Sequence, residues 1–432
     1  MRNEYHMIYK NKSLDMTKKI ELMAPAGSRE SLNAAIKAGA DSIYFGVDKL
    51  NMRARAAKPF HISDLKEISN ICKQNGIKCY LALNTIIYDD EMDLMRTICD
   101  AALEANLSAI IATDISTILY ARKIGLAVHI STQANISNLE SVRFYSQFAD
   151  VLVLARELTL PQIAHICDEI KKQNIHGPSG KLVQIELFVH GALCVSIAGK
   201  CYMSLALTNH SANRGDCLQN CRRSYRVIDD ATGNELKIDN RYVMSPKDLC
   251  TIDFLDQLIG AGATVFKIEG RGRSADYVFK VTRAYRKAID SYFQGKFTME
   301  KSKDWKKDLQ SVFNRGYWEG GYYLGKRLGE WSGAYGSRAT KQKKYVGFVK
   351  NYFARPKIAQ IMIENESLHI GDQIIAIGPT TGYAETDVES IFVNEKPAQG
   401  AAKGDDITIP FPEKLRRNDK IYIIRDRTHW QK

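Results

Sequence analysis

The sequence predicts an α/β fold: a (β/α)8 TIM-like barrel with a Cys-rich insertion after its seventh strand, followed by a small β-barrel domain. Three observations predict it. Eight short apolar runs rich in β-branched residues alternate with helical periodicity between Ile20 and Gly270. One interval between runs is far longer than the rest, and after Tyr345 the hydrophobic period changes to two.

The strand signals begin with IELMAPAG from Ile20, DSIYFGV from Asp41, IKCYLALNT from Ile77 and LSAIIATD from Leu107. They continue with LAVHISTQ from Leu126, ADVLVLARE from Ala149, VQIELFVHG from Val183 and ATVFKIEG from Ala263. Continuous apolar runs suit a parallel sheet buried on both faces. Between them lie helical segments: SRESLNAAIKAGA, with Ser28 placed to cap its start and Gly39 near its end, then HISDLKEISNICKQNG, DEMDLMRTICDAALEAN and NLESVRFYSQFA. An open doubly wound sheet competes with the barrel, and the strand count favours the barrel. Residues 1–340 are assigned to the barrel, with the insertion at 191–262, and residues 345–432 to the small β-domain. An insertion after a strand emerges at the C-terminal face, where barrel enzymes place their chemistry.

Composition narrows the class. At 45% hydrophobic and 25% charged residues, the chain reads as a globular protein. Its first twenty residues lack the apolar run of a signal peptide, and no stretch is long and apolar enough for a membrane span, so a cytoplasmic protein with no membrane partner is expected. The formal net charge of +12 suits a polyanionic partner. From Tyr345 onward acidic and basic residues balance, so the excess lies earlier, concentrated in CRRSYR, EGRGRS and KRLGEWSGAYGSRATKQKK.

Nine cysteines in a reducing compartment stay free or bind metal. Cys72, Cys79, Cys99 and Cys167 lie among apolar neighbours and read as buried thiols. Cys194, Cys201, Cys217, Cys221 and Cys250 lie among Gly, Ser, Asn and Arg, the first four spaced C-x6-C-x15-C-x3-C. Soft thiolates in this setting point to an iron–sulfur cluster or zinc, and the residues alone leave both open. No H-E-x-x-H helix or G-x-S-x-G elbow is present. Cys194 with His190 offers a nucleophile and base for a peptidase reading.

The stretch ELFVHGALCVSIAGKCYMS resembles the signature of the U32 family, with Glu186, Gly191, Cys194, Gly199, Cys201 and Ser204 in matching places. ELMAPAGSRESLNAAIKAGADSIYFGV, STQANISN, GDCLQNCRRSY, MSPKDLC, KIEGRGRS and FNRGYWEGGYYLG also resemble that family, so the likeness runs along nearly the whole chain. The resemblance implies a 4Fe-4S cluster held by cysteines of the insertion. Cys194, Cys201, Cys217 and Cys250 match one branch, with Cys221 as the alternative ligand. Members were first named collagenase-like peptidases, and others are oxygen-independent hydroxylation proteins acting on RNA or a quinone. The domain pattern is similar to the branch acting on the tRNA wobble uridine. That likeness implies 5-hydroxyuridine as product, prephenate as co-substrate, tRNA as partner and, in some relatives, a second homologous subunit.

Within that reading, Arg53, Arg55, Asn84, Gln133, Arg156, His190 and Glu269 are candidate substrate-binding residues. All but the arginines of NMRARA stand at the ends of expected strands, as do Asp114 and Glu157. Arg53 and Arg55 suit a phosphate or a carboxylate, because guanidinium pairs with either in bidentate fashion. No general base is assigned.

Overall fold

The computed structural model describes residues 19–54, 60–226, 228–235, 242, 244–325, 330–334 and 336–427. Arg55 lies outside the described residues. The chain begins with strand β1 (Glu21–Pro25), helix α1 (Arg29–Lys37), β2 (Ser42–Phe45), α2 (Leu65–Gln74), β3 (Lys78–Leu83) and α3 (Met92–Glu104). There follow β4 (Ala109–Ala112), α4 (Ile115–Lys123), β5 (Val128–Ile130), α5 (Leu139–Ser146), β6 (Val151–Val153), α6 (Leu160–Lys172) and β7 (Gln184–Gly191). The insertion carries α7 (Met203–Thr208) and β8 (Asp248–Cys250), and α8 (Leu255–Gly260) leads to β9 (Val265–Ile268) and α9 (Ala275–Phe293). Ser28 caps α1 through its side chain, as expected.

Strands β1 to β7 pair in order and in parallel, and β9 pairs with both β1 and β7, closing an eight-stranded parallel barrel. All eight expected strands are in it. Side chains alternate across the sheet. On the outer face Leu22, Ile43, Leu81 and Ile110 pack with Leu32, Ile68, Met95 and Ile118 of the helices. On the inner face Met23, Tyr44, Tyr80, Ile111, Val151 and Val265 form a separate plug.

After β9 and α9 come α10 (Met299–Ser311) and β10 (Tyr317–Glu319), which pairs in parallel with β8. β8 itself runs antiparallel to the end of β7, with Cys250 opposite His190.

The C-terminal strands are β11 (Lys341–Phe353), β12 (Ile358–Ile363), β13 (Leu368–His369), β14 (Gln373–Gly378), β15 (Gly382–Asp387), β16 (Ile391–Val393), β17 (Lys396–Ala398), β18 (Gly400–Ala401), β19 (Asp406–Pro410) and β20 (Lys420–Asp426). Eight of them form one antiparallel sheet ordered β15-β14-β20-β11-β12-β19-β16-β17, wrapped on a core that includes Val346, Ile361, Ile374, Ile407 and Ile421. Its end strands β15 and β17 have no ladder with each other.

This sheet docks on the barrel at α1 and α9. Phe279 stacks on Tyr383 with ring centroids 4.4 Å apart, among Ala34, Ala38, Ala275 and Ile375. Lys280 pairs with Glu385 at 2.6 Å and Lys37 with Glu413 at 2.9 Å around that contact. Phe279→Ala is expected to cost about 3 kcal/mol, since it removes a buried ring and leaves a cavity. Urea denaturation checks this; a loss below roughly 1 kcal/mol contradicts a tightly packed junction.

Candidate cysteine-lined active site

The cavity lies at the C-terminal ends of the barrel strands and measures about 260 Å3. Its floor and walls follow from the period of two. Tyr44 of β2, Ala82 of β3, Ile111 of β4, Phe188 of β7 and Lys267 of β9 all point inward and line it. Asn84, Ser131, Gln133, Arg156 and Glu269 follow the ends of β3, β5, β6 and β9, and Arg53 enters from the loop after β2.

The insertion forms the roof. Cys194, Cys201, Cys217 and Cys221 all line the cavity. Three contacts fix their loop to the barrel. Gly199, at φ +83°, lies where a Cβ would meet Met52 and Gln133. Gly215, at φ +80°, lies where a Cβ would come within 2.1 Å of the Asn51 carbonyl oxygen. Arg214 grips Glu91 with both guanidinium nitrogens and stacks 3.7 Å over the Tyr88 ring. Beside Cys221, Arg222 donates to the carbonyl oxygens of Leu193 and Pro246, tying the two limbs of the insertion together. Burial raises the Cys221 thiol, Arg222 opposes this, and Cys194, Cys217 and Cys201 add to the rise.

Cys250 is not among the residues that line this cavity, whereas Cys221, the alternative ligand, is. The antiparallel pairing of β8 with the end of β7 sets Cys250 opposite His190. Its sulfur is 4.0 Å from the Tyr285 hydroxyl, and burial pushes the thiol up to about 12. Among the described residues, no three His, Cys, Asp or Glu side chains are gathered to hold a single metal ion.

His190 is not among the lining residues either. Strict alternation after Glu186 and Phe188 would turn it inward, but a bulge between Phe188 and His190 shifts the register against β9. The imidazole faces Tyr285, Tyr277 and Tyr317, with ring centroids 5.5, 6.1 and 5.4 Å away. Burial depresses it to about 3, so it is a neutral packed ring. It is therefore no base for Cys194. Asp114 caps α4 by accepting from the Ser116 amide at 2.9 Å, and Glu157 is not among the lining residues.

The remaining expected residues meet in the cavity. Arg53 donates to Glu269 at 2.9 Å, and the Tyr44 hydroxyl donates to the second Glu269 oxygen at 3.2 Å. Asn84 donates to Gln133 at 3.3 Å, and its own oxygen accepts from the Met52 amide. Arg156 lies 4.0 Å over the Phe188 ring and donates to the Ala192 carbonyl oxygen, while its buried Nε has no partner. Burial would raise the Glu269 carboxyl, but Arg53, Arg156 and Arg271 overcome it and hold the group at about 2.

That depression has a measurable sign. The stabilisation from ionised Glu269 is complete above its ordinary 4.5 and is lost as pH falls toward about 2. It amounts to something on the order of 3 kcal/mol. Between about pH 5 and about pH 3, wild-type stability is expected to fall more steeply than that of Glu269→Gln; equal slopes in urea titrations contradict the assignment.

Sequence reasoning missed Lys267, Glu186 and His129 as members of the inner face, and Arg271 and Arg273 as lining residues. Lys267 donates to Glu186 at 2.8 Å, and both are buried. Arg271 reaches Asn51 at 2.9 Å. The signal was present: a charged residue inside an otherwise apolar strand, as in IELF and VFKI, has to find a partner within the barrel.

Comparison with known proteins agrees with this architecture. The model of peptidase family U32 matches residues 27–333. A protein named collagenase from Porphyromonas gingivalis is 54% identical over 402 residues, covering 93% of this chain and 97% of the relative. An uncharacterized protease of Methanocaldococcus jannaschii is 38% identical, covering 94% of this chain and 98% of that one. The tRNA hydroxylation protein P1 of Bacillus subtilis is 31% identical, covering 87% of this chain and 88% of that one. With the family match spanning the barrel and the cysteine roof, and with relatives aligned nearly end to end, the chain belongs to peptidase family U32.

Proposed function

We propose that this chain hydroxylates an RNA base without oxygen, converting the tRNA wobble uridine to 5-hydroxyuridine with prephenate as co-substrate. The single observation that carries the reading is the cavity itself: four cysteines and five arginines line it, with no histidine among the lining residues. The likeness to a tRNA hydroxylation protein supports the same substrate class. The collagenase name of a closer relative favours peptide hydrolysis, but a cysteine peptidase needs a base beside its thiol, and His190 lies outside the cavity.

Four thiols in a cavity with no histidine among its lining residues suit a 4Fe-4S cluster. Cys194, Cys201, Cys217 and Cys221 would hold it, and when bound it supplies electron transfer close to the substrate. The protein's own residues do the rest. Arg53 and Arg156 present charged donors to a carboxylate or phosphate, and Arg156 has an Nε with no other partner. Glu269 holds Arg53 in place, and Asn84 and Gln133 present amides able to read the edge of a base. The close approach at Gly199 and Gly215 holds the cysteine loop against the barrel mouth.

The test is deletion of the gene in a strain with no related copy, with nucleosides of total tRNA measured by mass spectrometry. Loss of 5-hydroxyuridine and its derivatives is expected; unchanged levels refute the function.

A further inference from the structure

Beneath the cavity a file of ionisable side chains runs along the barrel axis, and the roles above leave it unused. Lys267 lines the cavity and donates to Glu186 Oε1 at 2.8 Å. Glu186 Oε2 and His129 Nδ1 are 3.9 Å apart, both buried, and neither has a hydrogen-bond partner among the described residues. The His129 ring lies 4.4 Å from that of Tyr80, whose hydroxyl donates to Glu21 at 2.7 Å. Glu21 pairs at 2.6 Å with Lys78, which is 57% exposed at the opposite end of the barrel.

Two facing acceptors without partners are costly in a dry interior, and one proton between them satisfies both. A closure of about 1 Å brings them to hydrogen-bond distance. We infer that Glu186 and His129 share one proton, resting on Glu186 as a carboxylic acid, and that Lys267 relays it to a basic atom of the bound ligand. Burial raises the Glu186 carboxyl although the Lys267 ammonium opposes this, and burial depresses His129 to about 3, so of the two facing groups the carboxylate is the better home for the proton. The groups facing the pair are Lys267, Tyr44, Tyr80, Glu21 and Lys78, with Asp150 acting on His129 from before β6.

The transfer balances without an oxidant. One N–H bond of the Lys267 ammonium breaks as a bond from that hydrogen to the ligand forms. The Glu186 carboxyl then turns about its terminal side-chain bond so that the O–H faces Lys267 Nζ, and that O–H bond breaks as an N–H bond forms and restores the ammonium. Lys267 and carboxylate Glu186 remain as an ion pair until Glu186 takes up one proton from water entering the cavity. Lys267 is then the catalytic residue, and Glu186 and His129 are positioning residues that act through it.

The relay rests on the cavity being the reaction site, whereas the shared proton does not, so two measurements separate them. Infrared spectra of the ligand-free protein at neutral pH are expected to show a carboxylic acid C=O band that shifts in D2O, disappears in Glu186→Gln and moves in His129→Gln. Absence of a band removed by Glu186→Gln overturns the shared proton. In the hydroxylation assay, Glu186→Gln is expected to lower kcat roughly a hundredfold with KM nearly unchanged. An unchanged kcat and pH profile overturns the relay. Wild-type protein that hydroxylates no RNA refutes the function proposed above, while the infrared band still decides the proton.

Discussion

Replacing Cys221 with alanine is expected to abolish iron loading, whereas Cys250→Ala retains it. Cys221 shares the cavity wall with Cys194, Cys201 and Cys217, and its thiol feels the other three. Loss of one of four ligands opens the site and removes the binding free energy that couples to the ordered loop. Cys250 lies in a packed pocket with Tyr285 and takes no part in that wall. Its replacement removes only a small buried group, at about 1 kcal/mol. Iron content and visible absorption of anaerobically purified variants check the pair. Full loading of Cys221→Ala with loss in Cys250→Ala would reverse the ligand assignment.

The second large effect is expected at Gly215. An alanine there adds the strain of a positive φ and places its Cβ 2.1 Å from the Asn51 backbone oxygen, which has no rotamer to yield. The loop carrying Cys217 has to leave the barrel mouth, and iron loading falls by roughly tenfold or more. Gly180 is the control: its φ is +74°, yet nothing lies within 4 Å of the added carbon. Gly180→Ala therefore incurs the backbone cost of about 1 kcal/mol alone and keeps its iron. Equal behaviour of the two variants would mean that the Asn51 contact does not anchor the roof.

These residues mark where the sequence was readable. Each barrel strand announced itself because a strand buried on both faces is a short continuous apolar run, and β1 to β7 and β9 all fell within such runs. The place of the cysteine roof followed from chain order alone. The surroundings of Cys250 and His190 depend on features that spacing does not encode: an antiparallel partner for the first, a register shift after Phe188 for the second. Arg53, Asn84, Gln133, Arg156 and Glu269 were legible as polar residues near strand ends. Glu186 and Lys267 were hidden within apolar runs, since a strand pattern does not reveal which charge lies across the barrel from which. In the C-terminal sheet the alternation was legible, but docking through Phe279 and Tyr383 came from shape alone.

The account is tested most directly by the metal content of the protein purified without oxygen. It predicts a brown protein with about four iron atoms and matching sulfide per chain, lost together on Cys221→Ala. A colourless protein without iron, or one that carries zinc in the same site, would contradict it.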